Sequence, residues 1–129
     1  MNSYQKECVV TKDDLDDLDH VNNVRYVQWI QDISKEHWQN RAPKDIQEEV
    51  VWVVMTHHIE YKAAAVLDDP ILLTTYIKNS KGAKCTRIVE ISHAKTKLLL
   101  VRSSTEWCLL NKANFRPMRI SERIEKIFL

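Results

Sequence analysis

Along the 129-residue chain the apolar positions follow first a helical period and then a strand period, and the change between them organises the reading. From about Asn23 to Asn40, Val24, Val27, Ile30 and Trp38, joined by Tyr26 and Ile33, are read as one half of a helical wheel. Arg25, Gln28, Asp32, Lys35, Glu36 and Gln39 are assigned to the other half. Asn22 or Asn23 is the expected cap, because an Asn side chain accepts a hydrogen bond from a free first-turn amide, and Pro43 bounds the far end. Before the helix, Tyr4 to Thr11 predicts a short strand around Cys8, Val9 and Val10. After it, Arg41 to Glu49 is expected to be a connection.

From Val50 the residues turn β-branched and aromatic, and VVWVVMTHHIEYK predicts a long strand. Asp68, Asp69 and Pro70 interrupt the pattern. ILLTTYIK then predicts a strand, with Asn79 to Gly82 as a hairpin turn. AKCTRIVEISHA and KLLLVRSSTEWCLL predict two further strands joined near Ala94 to Lys97. Ile120, Ile124, Ile127 and Phe128 recur at helical spacing behind Ser121, with a final edge strand as the alternative. One long helix and at least four long strands with short connections describe a single α+β domain over residues 1–129, a helix laid on a curved antiparallel sheet. The helix would be about 25 Å long, comparable to a strand of about eight residues. A single helix covers one face of such a sheet, so a homo-oligomer, dimer or tetramer, is expected to cover more.

Composition narrows the function classes. Nineteen basic and eighteen acidic side chains give a formal charge of +1, so no global field recruits nucleic acid or a membrane surface. No apolar run approaches the ~20 residues of a membrane span. Cys8, Cys85 and Cys108 are odd in number and far apart, for which a reducing cytoplasm is the natural reading, and Cys85 and Cys108, in strands without a paired His in reach, read as packing residues. With one glycine, Gly82, the chain has no glycine-rich phosphate loop.

Candidate chemistry concentrates in the carboxylates and histidine between Asp13 and His20, just before the long helix. A helix start offers free N–H groups and partial positive charge, so Asp16 and His20 stand beside an oxyanion site formed by amides from Val21 to Asn23. A calcium loop is excluded, since glycine and glutamate are missing at the sixth and twelfth positions whichever aspartate starts it. A metal site is disfavoured because no second His or Cys lies at ligand spacing. His57 and His58 are adjacent in a strand and point to opposite faces, which leaves one buried and one exposed. His37 lies fourteen residues beyond Asn23, about 21 Å along the axis, and reads as a core histidine bonded to a neighbour, with Ser34 a candidate. Lys78, Lys81, Lys84 and Arg87 near Gly82, with Arg116 and Arg119, are candidate contacts for an anionic carrier.

The string D-L-D-D-L-D-H-V-N-N-V-R-Y, Asp14 to Tyr26, resembles the signature of hotdog-fold acyl thioesterases, both the 4-hydroxybenzoyl-CoA thioesterase-like group and the acyl-ACP thioesterases. The likeness continues through THHIEYKAAAVLDD and TEWCLLN to Arg116 and Pro117. It implies a sheet wrapped around a central helix and hydrolysis of acyl-CoA or acyl-ACP without metal or organic cofactor. It carries the catalytic carboxylate onto Asp16 and, from the acyl-ACP branch, a histidine onto His20. One position departs: Leu18 stands where that branch has Asn.

These groups suit a thioester. Its carbonyl oxygen gains negative charge under attack, which amides at the helix start, including that of Asn23, can hold. Asp16 then serves as general base on water or as nucleophile. The thiol leaves readily because its pKa is only about 8.5. Asp16, His20 and Asn23 are therefore the candidate catalytic residues. Two rivals stay open: a non-catalytic acyl-thioester binding or assembly module, to which Leu18 gives weight, and a hotdog hydratase.

Overall fold

The computed structural model describes residues 2–128. Strand β3 (Pro70–Lys81) buries Ile71, Leu73, Thr75 and Ile77 and leaves the alternating residues partly exposed, so one face of the sheet is set by a period of two. Its antiparallel partner β4 (Lys84–His93) places Ile91, Val89 and Arg87 opposite Leu73, Thr75 and Ile77 on that same face. Strand β5 (Leu99–Asn111) continues it with Val101, Ser103, Thr105 and Trp107. Two edges complete five strands in the order β1-β3-β4-β5-β2: β1 (Ser3–Val9) beside β3 and β2 (Val50–Tyr61) beside β5. All pairings are antiparallel.

Helix α1 (Asn23–Arg41) crosses the inner face and buries Tyr26, Ile30, Ile33, Ser34 and His37. Tyr26, Ile30 and Ile33 join Ile71, Leu73, Val89, Ile91 and Val101 in the larger core cluster. Asn22 is the cap, its Oδ1 accepting from Val24 N–H at 2.9 Å. The expected apolar stripe is corrected at Val24, which is 72% exposed. Two residues before Tyr26 it lies about 160° around the wheel, on the far side from the core.

Two further boundaries differ from expectation. The segment expected as a connection contains a short helix, α2 (Lys44–Glu49), started by Pro43 and anchored by buried Ile46. The β3–β4 turn lies at Gly82 and Ala83, because Lys81 pairs with Lys84 and Asn79 and Ser80 still belong to the ladder. Gly82 supplies the positive φ of 63° that a two-residue hairpin requires. A shift of register between Ile77 and Asn79 hid the strand's true length from a simple alternation. The C-terminal pattern is helical: α3 (Glu122–Phe128) begins behind Ser121, whose Oγ accepts from Ile124 N–H at 3.2 Å. Ile124 and Phe128 pack with Ile77, Cys85 and Leu109 in a second cluster.

Candidate functional site

The loop before α1 closes on itself. Asp16 N–H donates to His20 carbonyl at 2.7 Å, and Asp19 N–H donates to Asp16 carbonyl at 3.1 Å, with Asp19 at a φ of 59°. Aspartate tolerates that left-handed conformation better than most side chains. The Asp16 carboxylate lies inside this turn: one oxygen accepts from Leu18 N–H at 2.9 Å and from His20 N–H at 3.2 Å. Two backbone donors therefore fix its orientation, while the half-buried side chain leaves the other oxygen without a partner among the described residues. Asp16 and His20 are brought together as predicted, but through His20's backbone. The His20 imidazole is exposed and makes no hydrogen bond among the described residues.

The neighbouring carboxylate does a different job. Asp14 is 8% exposed; one oxygen accepts from Thr11 N–H at 2.8 Å and Thr11 Oγ1 at 3.1 Å, and the other pairs with Arg25 Nε at 2.9 Å. All its lone pairs on that side are committed to holding the loop on the helix. Of the two carboxylates in D-L-D, Asp16 is the one left with an oxygen for chemistry.

The expected oxyanion amides are narrowed. Val21 N–H donates to Ala65 carbonyl at 3.0 Å and Asn22 N–H to Asp14 carbonyl at 2.7 Å, so neither is open to a ligand. Val24 N–H is taken by the cap. Asn23 N–H, the first amide of α1, has no acceptor among the described residues and keeps the partial positive charge of the helix start. Its side-chain Oδ1 accepts from Tyr61 Oη. Burial pushes the Tyr61 hydroxyl pKa up, so it remains a donor at neutral pH.

Tyr61 and Tyr26 are positioning residues that the sequence reading missed. Tyr26 Oη accepts from Ala65 N–H at 3.1 Å, and the Ala65 carbonyl holds Val21, so the stretch after β2 is stapled to the start of α1. Tyr26 carried a signal, being the tyrosine of the motif, yet it was read only as an apolar wheel position. Tyr61 lay within the likeness through THHIEYKAAAVLDD but was given no role, because nothing in a strand's sequence tells which helix turn it will face. Around this loop Leu18, Val24, Tyr61, Val66 and Leu67 are all exposed, an apolar rim to a polar site.

Other candidates resolve differently. His57 is half-buried with Nδ1 3.2 Å from Thr105 Oγ1, and His58 is exposed, as their opposite faces require. His37 is fully buried, but its partner is Arg87, with Nη1 2.9 Å from Nδ1; Ser34 instead donates to Ile30 carbonyl at 2.7 Å. Arg87, expected on a surface basic patch, is 5% exposed beneath α1, which removes it from any carrier contact there. Lys78, Lys81, Lys84, Arg116 and Arg119 stay exposed. Cys85 and Cys108 are buried free thiols, and burial pushes the Cys85 thiol up to about 11. Among the described residues no helix is long and apolar enough to cross a membrane, and no three His, Cys, Asp or Glu side chains cluster to hold a metal ion.

Solved structures share this fold. The probable thioesterase YbaW of Escherichia coli is 18% identical over 95% of this chain and 94% of its own, with a TM-score of 0.86. A 4-hydroxybenzoyl-CoA thioesterase mutant, bound to 4-hydroxybenzoyl-CoA, is 12% identical over all of both chains, with a TM-score of 0.88. The 12:0-ACP thioesterase of Umbellularia californica is 14% identical over 98% of this chain and 51% of its own, with a TM-score of 0.84. At these identities the likeness establishes the hotdog fold. No curated protein matches by sequence. The sequence profile of the acyl-ACP thioesterase N-terminal domain, however, matches residues 1–128. The chain, matched over residues 1–128, therefore belongs to the family of the acyl-ACP thioesterase N-terminal domain, a family of thioester hydrolases.

Proposed function

We propose that this protein hydrolyses an acyl thioester of CoA or of acyl carrier protein to free acid and thiol, with Asp16 as the catalytic carboxylate. The observation that carries the reading is the Asp16 turn: a carboxylate held by two backbone amides, with one oxygen free, beside the one open amide of the α1 start. In this scheme the substrate carbonyl oxygen takes the Asn23 N–H, which is worth most where water is excluded. Asp16 removes a proton from the attacking water, or attacks the carbonyl itself to give a mixed anhydride that water then opens. The exposed imidazole of His20 binds the water or the carbonyl oxygen. Leu18 contributes its N–H to Asp16, so replacing the family's Asn with an apolar side chain leaves the carboxylate's anchorage in place.

The site is completed by a second copy of the chain. Edge strand β1 exposes Gln5, Lys6 and Glu7, which discourage further pairing, whereas edge strand β2 exposes Val54 and Met55 and ends at Tyr61. These and Leu18, Val24, Val66 and Leu67 are exposed apolar side chains that a homodimer or tetramer would cover, excluding water from Asp16. Free thiols at Cys8, Cys85 and Cys108 support a cytoplasmic location.

The test is colorimetric thiol release by the purified protein across acyl-CoAs and acyl carrier proteins of graded chain length, alkyl and aryl. Turnover on one chain class is expected. Saturable binding of acyl-CoA with no thiol released would replace this reading with a non-catalytic binding module, and water added to an enoyl-CoA with the thioester intact would replace it with a hydratase.

A further inference from the structure

A cavity of about 650 Å³ lies between the C-terminal half of α1 and strands β2, β4 and β5, and neither Asp16, His20 nor Asn23 lines it. That size falls within the ~300 to 1,000 Å³ typical of small-molecule sites. Trp38, Trp52, Trp107 and Phe128 give it aromatic walls, exposed polar side chains of α1, Asp32 and Lys35 among them, line it as well, and Arg87 and Cys85 lie on β4 beneath.

Arg87 is the anomaly. It is 5% exposed, and no carboxylate pairs with it among the described residues. Its Nη1 is shared between His37 Nδ1 and Thr75 Oγ1, both at 2.9 Å, and the guanidinium carbon lies 5.4 Å from the centre of the Phe128 ring. The rest of its fork has no acceptor among the described residues. His37 adds no second positive charge, since burial pushes its pKa down to about 4 and leaves it neutral. Burial lowers Arg87 itself only to about 10, so the guanidinium stays charged at neutral pH. A buried cation without a counter-ion is costly, and the cost is recovered when an anion arrives. Trp107 points the same way: its indole nitrogen is buried in the cavity wall without an acceptor.

We propose that this cavity binds an organic carboxylate, its head on the free fork of Arg87 and its apolar body among the tryptophans. The single buried positive charge among the described residues fits a monoanion; a phosphate dianion would leave one negative charge uncompensated beside Arg87. The planar guanidinium fork matches the two oxygens of a carboxylate. The ligand class is thus a free acid with an alkyl or aryl body, which is the chemistry of a thioesterase product. The site is separate from the Asp16 turn and does not depend on turnover.

The experiment titrates the whole protein with decanoate, decanol and decyltrimethylammonium, following tryptophan fluorescence and the indole N–H signals in a ¹H–¹⁵N spectrum, the Trp107 signal being assigned by its loss in Trp107→Phe. Decanoate is expected to bind saturably and to shift the Trp107 signal, decanol at least tenfold more weakly, and the cation not at all. Arg87→Met, close in volume, should bring decanoate down to the affinity of decanol. Asp16→Asn should bind decanoate as the wild type does, so a failed hydrolysis assay leaves this test intact. Equal affinity for decanoate and decanol, binding that leaves Trp107 unshifted, or a carboxylate preference surviving in Arg87→Met would each overturn the proposal. Should Arg87→Met not fold, the wild-type series and the Trp107 signal decide it.

Discussion

Replacing Asp16 with asparagine separates chemistry from structure more cleanly than any other change in this protein. The amide oxygen keeps the position that accepts from Leu18 and His20 N–H, so the turn retains both hydrogen bonds. What is lost is their charge-assisted part at a half-exposed site, about 1 kcal/mol in total. Against a stability of roughly 5 to 15 kcal/mol, that leaves essentially all molecules folded. The asparagine, however, has no basic or nucleophilic oxygen, and losing a positioned general base costs about 10² to 10⁴ in rate. Turnover on the best acyl thioester, normalised to folded protein, should therefore fall by at least about a hundredfold while the melting point moves by only a few degrees. A rate within a few-fold of wild type would refute the assignment. So would a collapse of the melt, which would mean that the carboxylate serves the loop alone.

Four further outcomes follow from the same geometry. Asp14→Ala should cost roughly 2 to 3 kcal/mol by urea unfolding, because it orphans Thr11 N–H and the Arg25 guanidinium around a nearly buried carboxylate. His20→Ala should lower turnover by about 10² to 10³ and leave the melt unchanged, since its backbone alone holds the loop; an unchanged rate would remove the imidazole from the site. His37 is neutral when folded, with its pKa pushed down to about 4 by burial and then by the charges of Arg87 and Arg41. The unfolded chain, near 6.5, takes the proton first, so stability is full above pH ~6.5 and falls by up to roughly 3 kcal/mol as pH drops toward 4. Urea midpoints for wild type and His37→Gln at pH 7 and 4.5 check this, and equal losses in both would sink it. Sedimentation should show a dimer or tetramer at micromolar concentration, and Met55→Asp on the β2 edge should shift it toward monomer with loss of turnover; a fully active wild-type monomer would contradict the shared site.

Much of the fold was legible because periodicity is local. The alternation through β3, β4 and β5, the turn at Ala94 to Lys97 and the hotdog resemblance carried by Asp14 to Tyr26 all reappear in the structure. The misses arose where local signals compete. Val24 is apolar and sits between two core positions in sequence, yet one helix turn points it outward. Pro43 stopped α1 and also began α2, and only the first role is visible without knowing that Ile46 finds a core. Arg87 read as a surface charge because its burial beneath α1 is set by pairing to Ile77 and Thr105, residues ten and eighteen positions away. For the candidate site, the loop and its acids could be located, but which amides remain open depended on Ala65 and Asp14 carbonyls that no motif announces.

The sheet order β1-β3-β4-β5-β2 also has a kinetic meaning. The three central strands are joined by short turns and can zip sequentially, whereas β1 meets β3 only after more than sixty residues of chain and β2 meets β5 only after about forty. Loops of that length close late, since chain entropy is lost before any contact is gained. The Asp16 turn hangs on both late arrivals: Val10, just after β1, is held by Asp69, and Val21 is held by Ala65, just after β2. The amides of Val10, Val21 and Ala65 should therefore exchange with solvent in one slow step together with the edge strands, well before those of Val89 and Ser103, making the turn among the last parts to form and the first to open.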